Sequence, residues 1–197
     1  MIIKDHKLAS TPRILINAEK QLLDQTSSNE MLWLGRAASA LIMAYKTIIK
    51  VSKGIKSPEI ILPTTSCSTP SNTALFCGLK PRYADIDIKT GLITLDTIKK
   101  RYTHNTVAVL FIHLYGNTAN ITEIKKWCLQ KNILLIEDNA QALGAKLENG
   151  NTCGIEGDFI IYSFNKTKII ESGGGGFSCK KRGTHKSIEA TLQLFPT

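Results

Sequence analysis

The sequence predicts an α/β domain of three layers, a mainly parallel β-sheet with helices on both faces. Apolar runs of strand length recur along the chain, rich in β-branched and aromatic residues and mostly unbroken by polar ones. That is the pattern of strands buried on both faces. Between these runs lie segments with the period of amphipathic helices, and strands alternating with helices give a parallel sheet. The 197 residues, 43% of them hydrophobic and 21% charged, suffice for one sizeable core, because a chain of this length buries roughly 70% of its unfolded surface.

Taken in order, residues 1–30 read as an N-terminal arm leading into one domain over 31–197. Ala37–Val51 is a long helix with Leu41, Ala44, Tyr45 and Ile48 on one stripe. Strands are expected at Ile60–Leu62 and Arg82–Ile86, then a short helix at Thr94–Tyr102. A strand at Val107–Leu114 leads to a helix at Ile121–Gln130, where Asn120 as N-cap and Glu123 three residues on resemble a capping box. Ile133–Ile136 and Phe159–Phe164 complete the run of buried strands. Four consecutive glycines follow at 173–176, and the tail from Gly183 to Thr197 begins another helix-like segment. There is no internal repeat.

Composition excludes several classes. No run approaches the ~18–20 apolar residues of a membrane span, and Lys4, Asp5, His6 and Lys7 interrupt what a signal peptide would need at the N-terminus. The five cysteines (67, 77, 128, 153 and 179) are odd in number and widely spaced, with no CxxC. They read as free thiols of a reducing cytoplasm and suggest no metal site. The formal charge of +9 is spread along the chain, and its one dense cluster is the run Lys180-Lys181-Arg182. With no basic stripe interleaved with aromatics, nucleic acid is not an expected partner. Solubility and attraction for small anions are the inferences that remain.

In open α/β sheets ligands bind at the carboxyl ends of the strands, which selects few residues here. One strand ends in Glu137-Asp138, followed by Asn139-Ala140-Gln141; the next ends in Ser163 and leads to Lys166 and Lys168. Earlier, Gly35-Arg36-Ala37-Ala38 opens the long helix, whose free N–H groups are suited to an anion. A strand-end aspartate, a strand-end lysine and an anion-holding helix start together suit pyridoxal phosphate. The lysine amine joins the cofactor and moves protons, the aspartate keeps the pyridine nitrogen protonated, and the helix start with a serine hydroxyl holds the phosphate.

The segments PTTSCSTPSNTALFCGLKPRYADID (63–87), HLYGNTANI (113–121), IEDNAQALGA (136–145) and GDFIIYSFNKTK…GGGG (157–176) resemble the DegT–DnrJ–StrS family of sugar aminotransferases. The resemblance implies the large domain of a fold-type-I pyridoxal-phosphate enzyme, usually homodimeric and here cytoplasmic. The implied reaction is amination of a nucleotide-linked keto-sugar with an amino-acid donor such as glutamate, in cell-surface polysaccharide or amino-sugar biosynthesis. The family's Ser-Phe-x-x-x-Lys motif falls on Ser163, Phe164 and Lys168, which makes Lys168 rather than Lys166 the lysine that bonds the cofactor. The resemblance also sets Asp138 at the pyridine nitrogen and Gln141 near the ring and its phenolic oxygen. Ser163 and the backbone N–H groups of Arg36 and Ala37 take the phosphate. The glycines at 173–176 let the chain bend into an edge strand, Phe177–Lys180. His113 is read as structural.

Three departures stand beside the resemblance. Cys67 occupies a position where many relatives stack an aromatic on the cofactor ring, and Arg36 stands where a threonine is common. Members of the family continue for about as many residues again, into a small C-terminal domain absent here. A non-catalytic remnant or fragment, acting as a cofactor-binding or dimerisation module, is therefore the alternative to an active transferase.

Overall fold

The computed structural model describes residues 31–119, 121–169 and 174–179. The elements are β1 (Met31–Leu34), α1 (Ala37–Val51), β2 (Glu59–Pro63), α2 (Ser68–Cys77), β3 (Lys80–Ala84), α3 (Leu95–Arg101) and β4 (Thr106–Ile112). A single 3-10 turn (Leu114–Gly116) follows, then α4 (Ile121–Lys131), β5 (Leu134–Asp138), β6 (Phe159–Ser163) and β7 (Gly175–Cys179). They build one seven-stranded sheet in the order β1-β7-β6-β5-β4-β2-β3. Strands β3, β2, β4, β5 and β6 are mutually parallel, and β7 runs antiparallel to both β6 and β1.

Side-chain alternation along the strands fills two cores. On one face Leu110, Ile136, Phe159 and Ile161 meet Ala40, Ala44, Tyr45 and Ile48 of α1. On the other, Val109, Phe111 and Leu135 meet Ile98 of α3 and Ile124, Trp127 and Cys128 of α4. Neighbouring residues of one strand thus serve opposite faces, so a one-residue slip would exchange both cores. Ala40 and Ala44 are fully buried. Their small side chains let α1 lie close against the sheet, and a bulkier residue there would have to push the helix away.

The apolar stripe expected on α1 is buried as a unit, with Leu41, Ala44, Tyr45 and Ile48 inside. Helix α2 was not expected, because its Ser/Thr/Asn-rich sequence lacks an apolar stripe. Gly78 (φ 93°) ends it in the left-handed region, with the Leu79 N–H donating back to the Ala74 carbonyl at 2.9 Å. Strand β3 starts two residues earlier than predicted and stops at Ala84. Beyond it, Asp87 Oδ1 accepts the N–H groups of Lys89 (2.9 Å) and Thr90 (3.0 Å) and closes a turn instead. The observed capping box belongs to α3, where Thr94 and Thr97 each accept the other's backbone N–H. Asn120, expected to cap α4, lies outside the described residues, as do the arm 1–30, Gly173, the basic run 180–182 and the tail.

No helix among the described residues is long and apolar enough to cross a membrane. Cys67, Cys77, Cys128 and Cys153 are free thiols, and no group of three or more metal-ligating side chains occurs among the described residues.

Candidate functional site

Strands β4, β5 and β6 end on the same edge of the sheet, and their parallel register brings Ile112, Asp138 and Ile161 side by side. Because residues alternate between faces, Asp138 turns toward α1 while Glu137 turns toward α4. The structure therefore places two consecutive carboxylates in different chemical environments.

Asp138 is buried, and its Oδ1 accepts the Ala140 N–H at 2.8 Å. Burial pushes its carboxyl up from the ordinary value, while that hydrogen bond, the Lys168 ammonium and His113 pull it back. Lys168 is half-buried in the loop after β6, its N–H donating to the Asn165 carbonyl at 2.9 Å, whereas Lys166 is exposed. Of the two candidate lysines, Lys168 is the one felt by Asp138. Beneath lies buried Tyr45, whose hydroxyl burial pushes well up, with Asp138 adding to that shift.

The start of α1 reaches the same edge by way of the glycines. Gly174 (φ 91°) forms a bridge with Arg36, and its carbonyl accepts the Phe164 N–H at 3.1 Å. Gly175 pairs with Ser163 across β6 and β7, and any Cβ on it would collide with the Ala37 nitrogen. Only glycine allows so close an approach. The result sets the Ser163 strand end one strand away from the amino end of α1. Arg36, extended at φ −155° and exposed, is the N-cap and makes no side-chain capping bond. The first N–H groups of α1 thus lack the usual side-chain cap.

Gln141 is half-buried, and its Oε1 accepts the Tyr115 N–H at 2.9 Å. With the oxygen engaged, the amide NH2 is what the side chain offers as a donor. Tyr115 is 81% exposed and sits in the left-handed region at φ 55°, where a bulky residue is strained. Cys67 is the exposed N-cap of α2, at the carboxyl end of β2, with no side-chain capping bond.

One functional-looking cluster escaped the sequence reading. Glu137 is fully buried and accepts the N–H groups of Gly154 (2.6 Å), Glu156 (2.9 Å) and Gly157 (2.9 Å), while His113 Nε2 lies 2.8 Å from its Oε1. Burial alone would raise its carboxyl; the His113 contact and the backbone donors more than offset this and hold it below its ordinary value. The signal was present only in the pairing. Phe111 sits opposite Glu137 in the parallel register, so His113, two residues on and on the same face, lies diagonal to it. His113 therefore has the partner that its sequence context did not reveal.

The residues on this edge match what pyridoxal phosphate asks of a protein. An uncapped helix start beside a serine suits a phosphate, and a buried carboxylate short of donors suits a pyridinium. An amide NH2 suits a phenolic oxygen and a half-buried amine suits an aldehyde. The fit rests on the glycine-made approach at Gly175, where a side chain would fill the space beside the helix start.

Comparison with known proteins gives the same direction. The chain is 31% identical over 147 residues to a dTDP-4-dehydro-2,3,6-trideoxy-D-glucose 4-aminotransferase of Saccharopolyspora spinosa, covering 75% of this chain and 37% of that protein. It is 34% identical over 118 residues to a GDP-perosamine synthase of Vibrio cholerae, covering 60% and 32%. Its fold superposes on an E. coli GDP-4-keto-6-deoxy-D-mannose-3-dehydratase with bound hydrated PLP at a TM-score of 0.76 and 26% identity, covering 89% and 46%. The chain thus spans less than half the length of each of these relatives. The sequence profile of one family matches residues 15–195, and the chain belongs to the DegT/DnrJ/EryC1/StrS aminotransferase family.

Proposed function

We propose that the chain is the cofactor-binding part of a pyridoxal-phosphate-dependent aminotransferase that moves an amino group from an amino acid, glutamate by preference, onto a nucleotide-linked keto-sugar. Such a reaction belongs to cell-surface polysaccharide or amino-sugar biosynthesis, and a homodimer in the cytoplasm is its setting. The observation that carries this reading is that Asp138 ends β5 and Lys168 follows its neighbour β6 at the same sheet edge, beside the uncapped start of α1. Bound pyridoxal phosphate supplies an electron sink that makes the bond to a substrate's α-hydrogen labile.

The protein's part follows from its own groups. The backbone N–H groups at Arg36 and Ala37 and the Ser163 hydroxyl bind the phosphate; the helix dipole favours the anion. Asp138 holds a proton on the pyridine nitrogen, and burial makes that ion pair stronger than it would be in water. Gln141 offers its NH2 to the ring's phenolic oxygen. Lys168 would hold the cofactor through its amine and supply the basic group that moves a proton.

The likeness to a dehydratase supports a second reading, removal of water from a similar keto-sugar. Lys168 favours transfer, since a primary amine can both bond an aldehyde reversibly and shuttle the proton.

Borohydride reduction of the chain mixed with pyridoxal phosphate, followed by peptide mass mapping, tests the assignment. One label on Lys168 is expected, absent in Lys168→Ala and retained in Lys166→Ala. A label on Lys166, or an unchanged adduct in Lys168→Ala, overturns it. Consumption of glutamate without release of water from the sugar separates transfer from dehydration.

A further inference from the structure

Glu137 and His113 do more than fill a core. They sit directly behind Asp138, on the far face of the sheet, and are tied to it through the backbone: the His113 N–H donates to the Asp138 carbonyl at 3.1 Å, and the Asn139 N–H donates to the Ile161 carbonyl at 2.8 Å. Asp138 is thereby clamped from β4 and β6, while Glu137, its neighbour in sequence, is pinned by three N–H donors of the 154–157 segment. His113 Nε2 meets the Glu137 carboxylate, its Nδ1 lies 3.9 Å from Cys153 Sγ, and its ring packs edge-on against Phe111. No part of the ring is exposed, so its influence on Asp138 passes through protein and not through water.

We propose that the His113–Glu137 pair is a positioning and charge-setting device for Asp138, holding the aspartate's backbone in register and favouring its carboxylate form from behind the sheet. The charges around it are few. His113 faces Glu137 and Asp138 of β5 and the Cys153 thiol; Glu137 also faces Tyr162 of β6; Asp138 faces Lys168 in the loop after β6 and Tyr45 of α1. Lys168 is the other basic group acting on Asp138. His113 acts on Asp138 from the opposite face of the sheet, and Glu137 holds its ring in place through the 2.8 Å contact with Nε2. The role in catalysis rests on the proposed function; the coupling between the groups does not.

The test reads Asp138 itself. In the cofactor-free chain, the carboxyl 13C signal of Asp138 is followed against pH in the wild type, His113→Asn and Glu137→Gln. His113→Asn leaves the Glu137 carboxylate buried without its imidazole and is expected to raise the proton affinity of Asp138 by about threefold or more, whereas Glu137→Gln removes a neighbouring negative charge and is expected to lower it. Glu137→Gln keeps the volume and one acceptor oxygen, so the test stands even if His113→Asn does not fold. The pH dependence of pyridoxal phosphate affinity is then measured for the same proteins, and its acid limb is expected to move with the Asp138 midpoint, in the same direction and by the same factor. If the Asp138 midpoint stays in place in the folded variants while only their melting temperatures fall, the pair is merely structural and the proposal is overturned. If the midpoint moves and the acid limb does not, the coupling stands and it is Asp138's assigned role at the pyridine nitrogen that fails.

Discussion

Glu137 and Asp138 are adjacent carboxylates at the end of one strand, both buried, and the structure treats them in opposite ways. Glu137 receives three backbone N–H groups and an imidazole, and its carboxyl is held below the ordinary value. Asp138 receives one N–H, from Ala140, and burial pushes its carboxyl up. A buried charge is costly unless it is hydrogen-bonded. Glu137 meets that requirement within the chain and reads as an anchor. Asp138 meets it only in part, leaving an acceptor to be completed by a ligand with a proton to share. The difference between one donor and four separates a carboxylate satisfied within the fold from one left with acceptor capacity.

The sharpest way to break the comparison is to remove the anchor. Glu137→Ala leaves three N–H groups and an imidazole buried without their acceptor, and the loss of a buried pair of this kind costs about 3–5 kcal/mol. Urea unfolding of the cofactor-free chain is expected to show that loss as a lower midpoint with an unchanged slope. A cost under about 1 kcal/mol, the figure for an exposed pair, would mean that the anchor is not one.

Removing the other carboxylate should spare the fold and damage the site. Asp138→Asn is expected to weaken pyridoxal phosphate binding by about 2–5 kcal/mol, as when one partner of a buried charge pair is truncated. Absorbance titration measures it. An unchanged affinity would remove Asp138 from the pyridine nitrogen.

Why the two differ was only half legible in the sequence. The three-layer arrangement was, because β-branched runs such as Val107–Ile112 and the stripe Leu41–Ala44–Tyr45–Ile48 are local signals of burial. The candidate residues Asp138, Gln141, Ser163 and Lys168 were marked by following strand ends and a known pattern. The structure has Asp138 and the loop carrying Lys168 leave the same sheet edge, and Ser163 lies one strand from the start of α1, while the Gln141 oxygen is spent on Tyr115. What stayed hidden depends on register. His113 and Glu137 are 24 residues apart and meet only because β4 and β5 pair with Phe111 opposite Glu137. Helix α2 was missed for a different reason: its segment carries turn-forming residues, and its stop is a single glycine.

The loop that feeds Glu137 offers a smaller perturbation. Gly154 lies at φ 92°, and a Cβ there would stand 2.5 Å from the Tyr162 hydroxyl and closer still to the Asn139 amide nitrogen. Those polar atoms are both buried. Gly154→Ala therefore meets both backbone strain and overpacking, and about 1–3 kcal/mol of stability is expected to go. The loss should be accompanied by weaker protection of the Gly154 and Glu156 amides in hydrogen exchange, since those N–H groups would be drawn off Glu137. Gly150→Ala, equally left-handed at φ 81° but with nothing within 4 Å of its added Cβ, is the control. A similar cost at both positions would assign the effect to backbone strain and not to the anchor.

The smallest effect is the most telling, because the two carboxylates predict opposite signs. A carboxyl whose folded pKa is lowered, as for Glu137, stabilises the fold above its ordinary value of 4.5, and that contribution is lost as pH falls through the lower folded value. A carboxyl whose folded pKa is raised, as for Asp138, behaves in reverse. The folded state binds its proton more tightly than the unfolded state does, so stability falls as pH rises from the ordinary 3.8 through the raised value, and the penalty persists at neutral pH. Asp138→Asn removes that penalty, and the cofactor-free variant should be more stable at pH 7 by about 0.5–2 kcal/mol, the usual gain when a strained functional group is relieved. The gain should vanish near pH 3, where the native carboxyl is already protonated. Melting temperatures of both proteins across this range decide it: if Asp138→Asn is destabilising at every pH, Asp138 is held by the fold as firmly as Glu137 and the contrast between them collapses.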